Sequence, residues 1–223
     1  MKTLLILCIL ALQYAAQAKL KVLIVYGHQE PKSFCAAMKD QCIKTLTDLG
    51  HDVQVSDLYA LKMFNRLDKT DFTELYDPTY FRPQVEQANA NKKNRTIFSE
   101  ELRREYDKCE WADVFLFVYP YYLSYMPGIV QAWLERLFSY GYAFGPNGDH
   151  LAGKRGMLIY TTGGEKKWIE KYENMMKFLI HDRMDFWQMK HFESFPAYAA
   201  AYVGYEQRKA YLTELDARMK ALT

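Results

Sequence analysis

From Leu20 to Tyr26 the chain reads LKVLIVY, a nearly unbroken β-branched and apolar run that suits a strand covered on both faces. From Ser33 the period changes. Phe34, Met38, Cys42, Leu46 and Leu49 recur three or four apart and Gly50 ends the series, which predicts a helix capped at its C-terminus. Val53 to Asp57 (VQVSD) reads as a second strand, and strand, helix and strand in such short order require a right-handed crossover and a parallel pair. Leu58 to Phe98 follows neither period. It is long and polar, with Pro78, Pro83 and an Asn/Lys cluster from Asn89 to Asn94, and reads as an irregular insertion of functional or interface-forming kind. Ser99 caps a helix that opens with Glu100 and Glu101 and runs to about Cys109. Asp113 to Tyr119 (DVFLFVY) is another doubly buried strand, and Gly128 to Phe138 is a helix with Ile129, Trp133 and Leu137 on one face. Gly156 to Tyr160, a helix from Lys166 to Asp182, a strand within Phe192 to Tyr202 and a helix from Glu206 to Leu222 complete the series. The repeated βα order gives about five units, too few to close a barrel, and predicts an α/β open doubly wound five-stranded parallel sheet with helices on both faces. There is no internal repeat and no second domain.

Met1 to Ala18 stands apart from this pattern. Lys2 supplies a positive start, Thr3 to Leu12 is almost wholly apolar, and Ala16-Gln17-Ala18 is a small-x-small cleavage pattern. The expectation is a signal peptide over residues 1–18 and a mature domain over 19–223, secreted or held in the lumen of the secretory pathway. The competing readings are an uncleaved anchor and a misassigned start, the latter leaving the protein cytoplasmic. No later run approaches the ~20 apolar residues of a membrane span, so no stable membrane insertion is expected after cleavage. Three cysteines then remain, Cys35, Cys42 and Cys109, an odd number that argues against a disulfide scaffold. Cys35 and Cys42 lie about 10 Å apart along one helix and cannot bridge each other. Asn94-Arg95-Thr96 is a glycosylation sequon that matters only if the chain enters the secretory pathway.

Composition adds exclusions. With 223 residues, half of them apolar and a quarter charged, the chain suits one large globular domain. A net charge of +2 with both signs scattered implies no nucleic acid partner. Aromatics make up 16%, including 18 tyrosines, which serves either core packing or a site for flat conjugated molecules.

In open parallel sheets, ligands bind at the carboxyl ends of the strands, which selects three loops. The first, Gly27 to Phe34, ends in Ser33 at a helix start, where free backbone N–H groups and the dipole favour a phosphate. Ser33 also reads as a simple N-cap, and His28 as either a phosphate contact or a surface histidine. The loop has neither G-x-G-x-x-G nor G-x-x-x-x-G-K-[ST], which disfavours a tightly bound NAD or an NTPase. The second loop, Pro120 to Pro127, holds Tyr121, Tyr122, Leu123 and Ser124 between two prolines; its tyrosines either meet a planar ligand or pack on neighbouring loops. The third, Thr161-Thr162-Gly163-Gly164, permits close approach of backbone to ligand. No metal-ligating cluster is expected.

These pieces together resemble the NAD(P)H:quinone oxidoreductase family of flavodoxin-like flavoproteins. The matching segments are H-x-x-x-x-S-F at His28 to Phe34, S-D-L-Y-A at Ser56 to Ala60, D-P at Asp77 and Pro78, A-D-V-x-x-F-x-x-P at Ala112 to Pro120, P-x-x-x-x-x-W-x-E-R-x-F at Pro127 to Phe138, Y-A-F-G at Tyr142 to Gly145, and T-T-G-G. The resemblance implies a homodimer with a tightly bound, non-covalent FAD in each of two interface sites. It implies NAD(P)H as hydride donor and two-electron, ping-pong reduction of quinones, with azo or nitro compounds as side substrates. Carried over, His28, Lys32, Ser33 and Phe34 hold the pyrophosphate and adenosine side of FAD, with Cys35 where a longer polar residue is common. Pro120, Tyr121, Tyr122, Leu123 and Ser124 border the flavin ring and ribityl chain, and Thr161, Thr162, Gly163 and Gly164 run beside it. Phe144 reaches toward the partner subunit's substrate pocket and, with Gly163 and Gly164, is a candidate pocket residue.

Two departures bear on activity. Leu123 and Ser124 stand where family members carry a Trp-Phe pair, so the wall beside the flavin is smaller. After Gly164 the chain reads Glu165-Lys166-Lys167-Trp168, where better-studied members carry a Tyr and a His that assist flavin reduction, and neither Tyr172 nor His181 is a firm match. Besides the quinone reductase, the sequence therefore leaves open a secreted flavin- or ligand-binding protein with little turnover and, less well supported, an FMN-binding electron carrier.

Overall fold

The computed structural model describes residues 18–62, 65–171 and 183–222. The proposed leader, apart from Ala18, lies outside the described residues, as do Tyr172 and His181. In chain order the elements are β1 (Lys21–Tyr26), α1 (Phe34–Asp48), β2 (Asp52–Asp57), α2 (Pro83–Lys92), α3 (Glu100–Trp111), β3 (Val114–Pro120), α4 (Gly128–Leu137), β4 (Arg155–Thr161), β5 (Lys190–Ala197) and α5 (Tyr205–Lys220). Residues 166–171 are helical, the described part of the helix expected to reach Asp182.

The strands form one parallel sheet in the order β2-β1-β3-β4-β5. The chain builds first to one side of β1 and then to the other, so strand order reverses between β1 and β3, and the crevice of such a fold opens there. The continuous apolar runs are explained by two cores. Leu23, Val25, Phe115, Phe117, Tyr119, Leu158 and Tyr160 face α3 and α4, where Tyr106 and Trp133 are buried. Val22, Ile24, Leu116, Val118, Met157, Ile159 and Phe195 face α1 and α5, packing on Met38, Cys42 and Leu215. The three cysteines are free and buried.

The reading of Leu58 to Phe98 as irregular needs correction. Pro83–Lys92 is a helix with Pro at its start, and Lys69–Asp71 is a 3-10 turn closed by a capping box on Asp68. The sequence hid α2 because its inward side is polar: Glu86 and Gln87 are buried beside Ala90, so no apolar stripe marks it. The insertion is ordered by buried polar groups as well as by Phe72 and Phe98. Glu86, fully buried, accepts the N–H groups of Tyr76 (2.7 Å) and Asp77 (3.1 Å). Asp71, 1% exposed, accepts two bonds from Arg136 of α4, which is also 1% exposed; Nε lies 3.1 Å and Nη2 2.7 Å from Oδ1. Arg136 reaches Glu101 of α3 as well, at 3.0 Å. One guanidinium thus ties the insertion to two helices of the main layer.

Candidate functional site

The three loops singled out in the sequence do meet. In register, Tyr119 of β3 lies opposite Tyr160 of β4, and Pro120 opposite Thr161, so the second and third loops leave the sheet side by side. The Tyr121 N–H donates to the Thr161 carbonyl (2.8 Å), and the Gly27 N–H to the Val118 carbonyl (2.9 Å). A Cβ on Gly27 would sit 2.3 Å from Val130 Cγ2, so only glycine lets β1 end against the start of α4. Cys35 Sγ lies 3.1 Å from Thr161 Oγ1 and links the first loop to the third. Burial pushes its thiol up to about 11, so it is a protonated polar link and no nucleophile at neutral pH.

Hydrogen-bond accounting shows what the first loop has left to offer. The Glu30 N–H donates to His28 Nδ1 (2.9 Å), the Lys32 N–H to Glu30 Oε1 (2.8 Å), and the Ser33 N–H to the Glu30 carbonyl (3.1 Å). Ser33 is the N-cap, its Oγ accepting the Ala36 N–H at 3.1 Å. That leaves the Phe34 and Cys35 N–H groups as those for which the helix itself supplies no acceptor. The first turn of α1 carries no acidic side chain, so its positive dipole end is uncompensated and attracts an anion. Because His28 Nδ1 accepts, the ring proton sits on Nε2, a donor; partial burial lowers the pKa and favours this neutral form, with Glu30 opposing. Lys32 is exposed, and Phe34 is half-buried with its ring 6.4 Å from that of Tyr211.

In the third loop the Thr162 hydroxyl donates to the Gly164 carbonyl (2.7 Å). The exposed Gly163 fronts open space, with nothing within 4 Å of where its Cβ would lie. A Cβ on Gly164 would instead meet Ile169 Cδ1 at 2.8 Å, so that glycine serves packing. A fourth loop was not picked out from the sequence. Residues 198–204 after β5 are laced to the third loop by Ala199 N–H to Gly164 carbonyl and Ala200 N–H to Thr162 carbonyl, both 2.9 Å, with Tyr202 exposed beside them. The run of small residues there, Ala199 to Ala201, carried no ligand signal.

The second loop closes as a two-residue hairpin. Tyr122 and Tyr125 exchange two backbone bonds of 2.9 Å, with Leu123 (φ 48°) and Ser124 (φ 61°) both left-handed. Non-glycine residues held this way cost about 1–3 kcal/mol each, and the result is a tip whose Leu123 side chain is fully exposed. Tyr122 is exposed too, whereas Tyr121 turns inward and stacks on Tyr160 (5.4 Å), as the packing reading expects of it. A cavity of about 780 Å³ lies between this hairpin, Tyr59 and Ile129. A larger one, about 1010 Å³, is walled by Phe81, Phe144, Phe186 and Trp187, with Arg82 and Arg183 at hand. Tyr125 and Gln131 line both. Phe144 thus belongs to the larger cavity and is not brought to the first and third loops within one chain.

Tyr119 carries the polar outlier of this edge. It is fully buried, stacked on Tyr160 at 5.9 Å, and its hydroxyl finds no hydrogen-bond partner among the described residues. Burial, reinforced by the nearby phenols, drives its pKa well up and keeps it neutral. An unmade buried bond costs about 1–3 kcal/mol, so Tyr119→Phe is expected to leave stability equal or raise it by about 1 kcal/mol in urea unfolding. A loss above ~1 kcal/mol would reveal a partner for the hydroxyl.

Among the described residues, no group of three or more His, Cys, Asp or Glu side chains is placed to hold a metal ion, and no helix is long and apolar enough to cross a membrane. A family model for the flavodoxin-like fold matches residues 20–222. The chain is 31% identical over 213 residues to the ribosyldihydronicotinamide dehydrogenase [quinone] of Rattus norvegicus, covering 91% of each. It is 34% identical over 166 residues to a ribosyldihydronicotinamide dehydrogenase-like protein of Penicillium crustosum, covering 69% of this chain but only 60% of that protein's length. The fold of a quinone reductase candidate from Klebsiella pneumoniae superposes with a TM-score of 0.83 at 27% identity, over 92% of this chain and 85% of that one.

Proposed function

Because the chain belongs to the flavodoxin-like fold family that includes the quinone dehydrogenases, we propose that it is a flavin-dependent NAD(P)H dehydrogenase reducing quinones. The observation that carries this reading is the meeting of three loops at the switch edge, around an anion-ready helix start and an open face at Gly163. The residues fit a flavin nucleotide. A phosphate is matched by the Phe34 and Cys35 amides, Ser33 and the His28 Nε2–H, and a flat ring by a loop whose Gly163 leaves room where any other residue would intrude.

When bound, a flavin would supply the redox chemistry, a two-electron ping-pong transfer of hydride equivalents from reduced nicotinamide to the quinone. The chain's part is to hold and to exclude. The α1 N-terminus and His28 would fix the phosphate end, and Lys32, exposed beside them, would add positive charge there; FAD is the form proposed, on the likeness of these loops to the quinone oxidoreductases. Thr161 to Gly164 and the Pro120–Ser124 segment would hold the ring, and the tyrosines behind them would keep water away. No acid or base is assigned among residues after Gly164. Phe144, on the larger cavity, serves the acceptor pocket of a second subunit in a homodimer.

The protein acts in the secretory lumen or beyond it. The 1–18 leader pattern supports this reading.

The test is a visible spectrum of purified Lys19 to Thr223 after FAD or FMN is supplied. Chromatography of the released flavin and anaerobic NADPH addition follow. A bound FAD that bleaches and is reoxidised by a simple quinone is the expected result. Absence of flavin binding, or turnover no faster than free flavin, overturns the reading.

A further inference from the structure

The chain contains a single Asn-x-Ser/Thr triplet, Asn94-Arg95-Thr96, and the fold has placed it with care. It forms the turn after α2, and Asn94 and Thr96 are exposed while Arg95 between them is half-buried. Asn94 (φ 52°) and Arg95 (φ 63°) are both left-handed, a conformation that asparagine tolerates better than most residues. Arg95 pins the turn from below: its guanidinium lies 3.0 Å from Glu110 and over the rings of Tyr106 and Tyr142. Asn94 is thus carried outward on a fixed base.

Its position relative to the site is equally definite. Glu110 sits at the end of α3, and the backbone there is held by Lys154, which donates to the Glu110 and Ala112 carbonyls just before β3 and β4 begin. That is the amino edge of the sheet. The flavin loops leave the carboxyl edge, and the seven-residue β3 between the two edges spans roughly 20 Å. A bulky group on Asn94 would project from the end of the molecule opposite the site.

We infer that Asn94 is an N-glycan acceptor whose glycan clothes the amino edge of the sheet and leaves the carboxyl edge open. In the transfer, Asn94 Nδ2 bonds to the anomeric carbon of a lipid-diphosphate-linked oligosaccharide. The bond from that carbon to the phosphate oxygen breaks, the lipid diphosphate leaves with the electron pair, and one amide proton is released. In the folded protein the Thr96 hydroxyl donates to the Lys93 carbonyl (2.9 Å). The triplet is therefore modified in the extended chain, before this turn closes, and the finished fold accommodates the product. The inference rests on the lumenal reading above.

Two forms of the whole chain separate the two ideas when expressed in a eukaryotic secretory host, one with its own residues 1–18 and one with an established secretory leader in their place. Intact mass is read before and after an N-glycan amidase, for the native residues and for Asn94→Gln and Thr96→Ala. The expected result is a glycan on most secreted chains of both forms, removed by the amidase and absent from both variants. Asn94→Gln should keep its flavin affinity within twofold of the glycosylated protein. A glycan only on the form with the borrowed leader supports the acceptor site and overturns the lumenal reading. Unmodified Asn94 on chains secreted under the borrowed leader overturns the acceptor site, and a flavin affinity changed more than fivefold by Asn94→Gln overturns its separation from the site.

Discussion

Replacing Asp71 by alanine is expected to lower the unfolding free energy by about 3–5 kcal/mol, the usual cost of stranding one member of a buried ion pair. The carboxylate is 1% exposed and accepts from Nε and Nη2 of Arg136, itself 1% exposed, while its Oδ2 also takes the Asp68 N–H at 3.1 Å. Once it is gone, the guanidinium loses its buried counter-charge, while the partly exposed Glu101, 3.0 Å away, stays beside it. The 3-10 turn loses its reciprocal cap in the same step. For a domain of this size the change corresponds to a fall in Tm of roughly 6–20 °C. The double change Asp71→Leu with Arg136→Met separates charge from packing. An apolar pair of similar volume needs no counter-charge, so it is expected to recover most of the loss. Urea unfolding of the three proteins decides the matter. A loss below 1 kcal/mol for Asp71→Ala would show that water reaches this pair and that the insertion is held without it.

The second large effect falls on binding with little on stability. Gly163→Val places a branched side chain in the open space before the third loop. Its Cβ has nothing within 4 Å among the described residues, so apo stability is expected to stay within about 0.5 kcal/mol, as for surface positions without special contacts. The same space is what the proposed flavin ring needs, so affinity is expected to fall at least 100-fold, about 2.7 kcal/mol. Gly164→Ala is the contrasting control. Its Cβ meets Ile169 Cδ1 at 2.8 Å, so that side chain must turn aside and the cost falls on packing first. Titration of apo-protein with FAD, followed by flavin fluorescence, reads both. Full flavin occupancy in Gly163→Val would mean that the ring lies elsewhere.

Much of the site was legible because a strand-to-helix loop is a local feature. Ser33 reads as a helix cap, and the structure gives it that bond; Thr161 to Gly164 reads as a place where backbone is bare, and Gly163 is so. Leu123 and Ser124 read as a reduced wall, but their conformation did not. Left-handed φ at a leucine and a serine has no marker in sequence, since neither residue favours it, and arises because the exchange of bonds between Tyr122 and Tyr125 forces it. Residues 198–204 were missed for a similar reason. Alanines announce nothing, and only strand order brings β5 beside β4.

The sequence by itself determined the βα order, the parallel sheet with two covered faces, and the edge at which the loops gather. Each follows from burial, and burial imprints its period on neighbouring residues. The tertiary structure alone decided how the polar insertion folds, where Arg136 finds Asp71, which tyrosine turns inward, and that the Tyr119 hydroxyl meets no partner among the described residues. Those outcomes depend on groups far apart in the chain, such as the pair 65 residues apart that closes the insertion. A buried acid or arginine looks the same in sequence as an exposed one. What distinguishes them is the desolvation cost of the charge, met only when the fold brings its counter-charge within hydrogen-bond distance.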